Sequence, residues 1–414
     1  MFSSNYKVHK NYERVMKILM VVDHKIPTDI RIENEAEILV RNGHQVGILS
    51  VGDYQNSEEV MYNGFTLYRI AMSKFWLKKM HGLAGMISWM DRYLEKQISK
   101  ILLKDSYQVI HLHDLYTFGV ISRLKKKFNL LYIGDMHENY VEVIKDYNWP
   151  NRFPNNMFIS HKKWERKEKE WLAECDKVIT VSKGIIDRLI EKGVKRENTI
   201  LTPNSIRLDL FDSFSVDDSV LDRFTGKYTL LYVGGFISNR GLDHVIKGME
   251  KLSKSIPNVH LILVGDGEES AKLRELVGEL GIENLVSFEG WKKQSEIKSY
   301  LQIADVGLVP FKKTPQTDNS SSNKLFQYMY YKLPIAATNC NSIQELVMQE
   351  QCGIIYESEN TKAFSETILE LRSNCKRSEE FGRNGYNAVV NKYNWEIAAR
   401  DMLDMYRELE HKVN

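Results

Sequence analysis

The chain has 414 residues, 43% of them hydrophobic and 27% charged, with a formal net charge of +2. That length exceeds what one hydrophobic core normally supports, so two domains of about 200 residues each are expected, and the ordinary globular composition excludes extensive disorder. No run approaches the roughly 20 apolar residues of a membrane-spanning helix, and residues 1–10 lack the apolar core of a signal peptide, which predicts a cytoplasmic protein.

An apolar run at residues 16–22 reads as the first strand, followed by a polar loop to Asp29 and by Ile32, Ala36, Leu39 and Val40 at helical spacing. Gly43 and His44 end that helix and residues 45–50 begin a second strand, the opening of a parallel sheet. Strands follow at 65–70, 109–112, 130–134, 178–181 and 199–202, with a long amphipathic stretch over 76–103. From 204 to 226 periodicity gives way to Asp and Ser, as in an interdomain linker. A second alternation follows, with strands at 228–233, 260–264, 286–289, 306–310 and 334–338 and helices at 241–252, 270–280, 295–304 and 324–331. The predicted architecture is α/β, with two doubly wound Rossmann-like domains, 1–205 and 226–390, facing an interdomain cleft. Residues 206–225 are the expected linker, and 391–414 an expected C-terminal helix with no strand after it.

In open α/β sheets ligands bind beyond the carboxyl ends of the strands. Gly234 and Gly235 follow one such strand, permitting close backbone approach and positive φ, and Arg240 can bridge two phosphate oxygens. Gly265-Asp266-Gly267 follows another strand and by itself reads as a tight turn, while Trp291 after a third suits either a ligand base or the core. The serines Ser320, Ser321 and Ser322 precede the apolar segment that begins Asn323-Lys324-Leu325-Phe326-Gln327-Tyr328-Met329. Unpaired N–H groups at such a helix start attract phosphate oxygens, and Lys324 adds a full charge. In the first half, His111 and His113 lie on one face of a strand end, so that one of them can be buried and one can reach the cleft.

The segment from Asn323 to Met329 resembles the nucleotide-sugar motif of retaining glycosyltransferases with the GT-B fold, specifically the large family four. In that family two glutamates are separated by seven intervening residues. Here both places carry amides, Asn319 and Gln327. The resemblance makes residues 234–241 the phosphate-clamp loop, with Arg240 before the glycine that opens the helix and Gly235 where many members have a further arginine. It also implies donor-side roles for Gly265, Gly267, Trp291, Ser321, Ser322 and Asn323, and a catalytic role for His113 beside Asp114. Asp29, Arg31, Asp114, His137 and Glu138 fall to acceptor shaping or interdomain bonding. These elements occur in the family's order over about residues 16–405.

The implied activity is a metal-independent transfer of a sugar from a nucleotide diphosphate sugar, with retention at the anomeric carbon, to a glycan or polyprenyl-linked glycan in cell-surface polysaccharide assembly. No cofactor is implied, and the departing diphosphate needs Arg240, Lys324 and backbone amides for charge stabilisation. An amide at 327 still pairs with ribose hydroxyls, through weaker bonds than a carboxylate makes. Two other readings stay open: a non-catalytic nucleotide-sugar-binding partner subunit that has lost the acidic pair, and a sugar-nucleotide epimerase. A dehydrogenase is set aside because no Gly-x-Gly-x-x-Gly follows the first strand.

The first 205 residues carry 32 basic against 25 acidic side chains and the remainder 25 against 30, so the two halves face different partners. Trp76, Met80, Leu83, Ile87, Met90 and Leu94 form an apolar stripe accompanied by lysines, and 161–167 is a second basic, aromatic stretch. Both suit either a helix packed on a sheet or a peripheral contact with an anionic membrane. Nucleic acid is not expected as a partner, since basic residues interleave with acidic ones. Four cysteines without Cys-x-x-Cys spacing predict neither a metal site nor a disulfide framework.

Overall fold

The computed structural model describes residues 15–27, 29–77, 89–142, 161–318 and 322–412. The chain forms two compact units, one of Met1–Thr180, Ile186–Thr202 and Ala399–Asn414, the other of Val181–Ile185 and Pro203–Ala398.

The first unit holds eight strands: β1 (Lys17–Val22), β2 (Gln45–Gly52), β3 (Glu58–Tyr62), β4 (Phe65–Ala71), β5 (Val109–His113), β6 (Leu131–Met136), β7 (Lys177–Thr180) and β8 (Thr199–Leu201). Their order is β3-β4-β2-β1-β5-β6-β7-β8, and every pairing is parallel except β3 with β4. Residues 18–22 of β1 are buried, as a central parallel strand covered on both faces requires. The sequence reading lacks β3. It is the first arm of a hairpin closed by Asn63 (φ 45°) and Gly64 (φ 87°), the two left-handed positions that a tight antiparallel turn demands.

Between β1 and β2 runs the helix Ile30–Arg41, whose first turn is capped by the Asp29 carboxylate accepting from the Arg31 amide at 3.0 Å. The amphipathic stretch expected over 76–103 is helical at Trp89–Lys104, with Met90, Leu94, Ile98 and Ile101 buried, while Met80, Leu83 and Ile87 lie outside the described residues. In the helix His161–Leu172, Trp164 and Trp171 point inward and Lys162, Lys163 and Arg166 outward. That is the pattern of a helix packed on a sheet. The helix Arg400–Glu410 belongs to this unit, with Met402, Met405, Tyr406 and Leu409 buried and Glu408 paired with Lys177 at 3.2 Å.

The second unit has six parallel strands, β9 (Tyr228–Val233), β10 (Val259–Val264), β11 (Val286–Gly290), β12 (Val306–Val309), β13 (Ile335–Thr338) and β14 (Gly353–Tyr356), in the order β11-β10-β9-β12-β13-β14. Strand order reverses at β9, which lies between β10 and β12, and this switch point is where an open sheet offers a crevice.

Two sequence boundaries need correction. Residues 206–225 are not an irregular linker but carry the short helices Leu208–Ser213 and Asp218–Phe224, whose Phe211 and Phe224 enter the core of the second unit. The tail assigned to 391–414 passes into the first unit only at Ala399, because Trp395 is still tied to the second through its amide and Ile206 O at 3.0 Å. Among the described residues, no helix is long and apolar enough to cross a membrane.

Candidate functional site

At the switch point of the second unit the end of β9 turns outward through Gly234 and Gly235. The Gly234 amide still reaches Val264 O at 2.9 Å, and its φ of 138° is open to glycine and strained for any other residue. The chain then forms a single turn, Ser238–Arg240, and enters the helix Leu242–Ser255 through Gly241 (φ 64°), where a Cβ would stand 2.1 Å from Pro310 O. This backbone trace brings Arg240 inward. Its guanidinium carbon lies 4.4 Å from the centroid of Phe311, just beyond the end of β12.

Lys324 comes to the same ring from the helix Asn323–Tyr330, its Nζ 4.7 Å from the Phe311 centroid and 4.6 Å from that of Tyr232. The helix is fastened to the sheet by the Tyr328 hydroxyl, which accepts from the Val233 amide at 2.9 Å. Among the described residues no carboxylate forms an ion pair with Arg240 or Lys324. Burial, and then repulsion from Arg240, pushes the Lys324 ammonium well below the usual lysine range. Two like charges over the one ring of Phe311, with no carboxylate paired to either among the described residues, suit an anion.

The start of that helix strengthens the same preference. Ser322 is its extended N-cap residue (φ −100°, ψ 111°) and its side chain makes no capping bond; its carbonyl accepts from the Leu325 amide at 3.1 Å, while the amides of Asn323 and Lys324 have no partner among the described residues. Asn323 follows it, and its buried Oδ1 has no hydrogen-bond partner among the described residues. Gln327 is half-buried one turn further along. Asn319 and Ser321 lie outside the described residues.

The Gly265-Asp266-Gly267 segment braces the loop. Asp266 O accepts from the Phe236 amide at 2.9 Å, and Gly265 (φ 148°) lies so close to Gly234 O that a Cβ would be 1.9 Å away. Its two glycines therefore serve backbone-to-backbone packing between adjacent strand ends. Trp291 is 72% exposed, on the loop that follows Gly290, whose carbonyl accepts from the Gly265 amide at 2.8 Å. Sequence reasoning missed Tyr232 and Phe311, because their role comes from cations far away in the chain.

In the first unit a buried polar cluster fills the carboxyl ends of β1, β5 and β6. The expectation that one of His111 and His113 reaches the cleft is corrected: both are buried, His113 at 1% exposure, with their rings stacked 4.4 Å apart. Burial and then His111 hold the His113 imidazole down at about 3, so it is neutral near pH 7. His137 is also buried. Burial alone would lower it, but Asp135 at 3.1 Å overrides that and keeps it raised. Asp29 grips Arg31 through two side-chain bonds of 3.0 and 2.7 Å. Asp114 (φ 65°) accepts from Tyr116 at 3.1 Å, and Glu138 is half-buried beyond β6. Glu35 and Tyr406, which no local motif marks, also enter this cluster.

The chain matches the family described as "Glycosyl transferases group 1" over residues 215–388 and that described as "Glycosyltransferase Family 4" over residues 30–210. An uncharacterized glycosyltransferase of Methanocaldococcus jannaschii is 25% identical over 404 residues, 95% of this chain and 98% of the relative. A lipopolysaccharide core biosynthesis glycosyltransferase, LpsE of Rhizobium meliloti, is 22% identical over 58% of this chain and 65% of its own length. Among solved structures, Anabaena HepE in complex with UDP-glucose superposes with a TM-score of 0.71 at 13% identity, over 95% of this chain and all of that one. At such identity the likeness shows the fold, that of the two-domain GT-B glycosyltransferases.

Proposed function

The chain belongs to the group 1 glycosyltransferases, and from that premise we propose that it transfers a hexose or N-acetylhexosamine-type unit from a nucleotide diphosphate sugar to a glycan or lipid-linked glycan, with retention at the anomeric carbon, in cell-surface polysaccharide assembly. One observation carries the reading: Arg240 and Lys324, two cations without a carboxylate partner among the described residues, converge on Phe311 near an uncapped helix start. UDP-glucose bound by HepE supports a nucleotide sugar as donor, and the naming of LpsE supports a polysaccharide setting.

In this reading the diphosphate lies over Arg240 and Lys324, with its outer oxygens toward the amides of Asn323 and Lys324. Negative charge grows on the leaving group as the anomeric bond breaks, so contacts that are adequate in the ground state become strong at the transition state. No metal is required for that stabilisation. The leaving oxygen takes the acceptor hydroxyl proton on the same face, which gives retention without a protein nucleophile. Gln327 pairs with the ribose hydroxyls, and Asn319 meets the sugar ring.

On the acceptor side the proposal gives Asp29, Arg31, Asp114, His137 and Glu138 a shaping role. His113 belongs to the buried cluster beside them rather than to the reacting atoms, because its ring is enclosed by His111, His137 and Asp135. Exposed Phe75 and Trp76 support a peripheral contact with anionic lipid. Vesicle sedimentation that rises with anionic lipid content checks this part.

The deciding experiment screens the purified protein for thermal shift with uridine, guanosine and adenosine diphosphate sugars, then follows hydrolysis of the selected donor. Slow hydrolysis with the anomeric configuration kept supports the transferase. Binding with no turnover, with or without glycan acceptors, would instead favour the non-catalytic partner subunit.

A further inference from the structure

Glu35, His111, His113 and Asp135 each offer one oxygen or nitrogen inside the first unit, and these four atoms lie within 4.8 Å of one another. All four side chains are buried. Among the described residues, Glu35 Oε2, His111 Nε2, His113 Nδ1 and both Asp135 oxygens have no hydrogen-bond partner. His113 Nδ1 is 3.4 Å and His111 Nε2 3.5 Å from Asp135 Oδ2, and His111 Nε2 is 4.0 Å from Glu35 Oε2, all beyond the range of about 2.7–3.2 Å for a sound bond.

Those separations fit a different geometry. A zinc ion with ligands at about 2.0–2.1 Å in a tetrahedron sets them about 3.3–3.4 Å apart. Two of the six edges meet that value, a third needs a closure of roughly half an ångström, within reach of a glutamate side chain, and the other three, each within 4.8 Å, close as the side chains turn onto the ion. We propose that Glu35, His111, His113 and Asp135 bind one zinc ion as a closed structural site, an inference that goes beyond the transferase reading and does not depend on it.

Three further features agree. His111 Nδ1 pairs with the Tyr406 hydroxyl at 2.9 Å, and with the ring proton on Nδ1 the Nε2 lone pair faces the site. His137 Nε2 lies 3.1 Å from Asp135 Oδ2, an ion-pair contact with the carboxylate that would ligate. Two carboxylates and one divalent cation sum to zero, which removes the cost of a bare charge in a buried site. With four protein ligands no position stays open for substrate, so the ion would tie β5, β6, the helix Ile30–Arg41 and, through Tyr406, the helix Arg400–Glu410 together. The ligands are spread from residue 35 to residue 135, which is why cysteine spacing gave no hint of the site.

The test uses tag-free full-length protein, stripped by chelator dialysis and titrated with zinc ion against a chromophoric chelator. One zinc per chain is expected, with an X-ray absorption shell of four nitrogen or oxygen neighbours at about 2.0 Å and a zinc-dependent rise in unfolding temperature. Tyr406→Phe, which leaves all four ligands in place, should weaken zinc about 10–100-fold, and the near-isosteric Glu35→Gln should weaken it further. Absence of stoichiometric zinc, sulfur in the shell, or undiminished affinity in both variants would overturn the proposal. Should Glu35→Gln fail to fold, the wild-type spectrum and Tyr406→Phe still decide.

Discussion

Lys324 and Arg240 share one aromatic ring: the ammonium lies 4.7 Å and the guanidinium carbon 4.4 Å from the centroid of Phe311. The ring's π face partly offsets the repulsion between two cations that have no carboxylate partner among the described residues. Removing either charge should lower kcat about 100- to 1,000-fold, the usual loss when one stabilising donor of a developing oxyanion is deleted. Phe311→Leu keeps both charges but frees them, so a smaller fall, about tenfold, is expected. Steady-state kinetics of Lys324→Ala, Arg240→Ala and Phe311→Leu with the selected donor check the ranking.

The lowered pKa of Lys324 has a sign that can be measured. Free of ligand, the group loses its proton well below the usual lysine range, first through burial and then through Arg240. A bound diphosphate favours the charged form and restores the proton, so binding takes up protons and affinity falls as pH rises through the depressed pKa. Calorimetry with the matching nucleoside diphosphate across a pH series, in two buffers of different ionisation enthalpy, should register this uptake growing as pH rises. Lys324→Arg, which stays charged, should bind without it.

Gln327 offers one acceptor and one donor where a carboxylate offers two charged acceptors. If it pairs with ribose, Gln327→Glu converts neutral bonds into charge-assisted ones and should tighten donor binding about 3- to 30-fold. Isothermal titration of the wild type and variant reads the change directly. Equal affinities would remove Gln327 from the ribose.

How far these features could be read in advance depended on whether their causes are local. The strand of residues 228–233 and the helix start at 323–324 follow from apolar periodicity and flanking polar residues, and the structure has them at Tyr228–Val233 and Asn323–Tyr330. β14 is four residues long and begins with a glycine, so its identity comes from pairing with β13, Ile335 opposite Gly353, rather than from its own residues. His111 and His113 were read correctly as sharing a face, but the pleat says nothing of what covers that face. Tyr406, nearly three hundred residues later, is part of the cover. The Arg240, Lys324 and Phe311 cluster was legible only for its cations, since nothing local to Phe311 indicates which charges approach it.

A buried neutral histidine makes the second unit acid-sensitive. His244 is nearly inaccessible, bonded through Nε2 to the Tyr356 hydroxyl at 3.1 Å and edge-on to Phe364. Burial holds its pKa down at about 4, with Asp243 and Glu359 opposing and Lys312 and Lys247 adding to the shift. The unfolded chain binds this proton near 6.5, so between the two values the unfolded state takes up more protons and stability falls as pH falls. One such group costs about 2 kcal/mol between pH 7 and pH 5. Urea unfolding at both pH values should therefore show a loss smaller by about that amount in His244→Gln than in the wild type, even if the variant starts lower.

Gly265 and Gly281 separate two effects of adding a methyl group. Both have positive φ, 148° and 63°, so alanine is strained at each, by roughly 1 kcal/mol or more. At Gly281 a Cβ meets nothing within 4 Å, and the cost ends there. At Gly265 it would stand 1.9 Å from Gly234 O and 2.9 Å from Gly234 C, backbone atoms that cannot turn aside as a side chain would. Gly265→Ala must then push the Gly234 loop away from β10, breaking the 2.9 Å bond from the Gly234 amide to Val264 O. It should destabilise the second unit by about 3 kcal/mol or more and, where it still folds, raise the KM for the donor by moving the loop that presents Arg240. Gly281→Ala should leave KM unchanged. Paired thermal unfolding and donor-saturation curves test both halves, and equal behaviour of the two variants would mean that the bracing of loop 234–236 by residues 265–267 does not position the site.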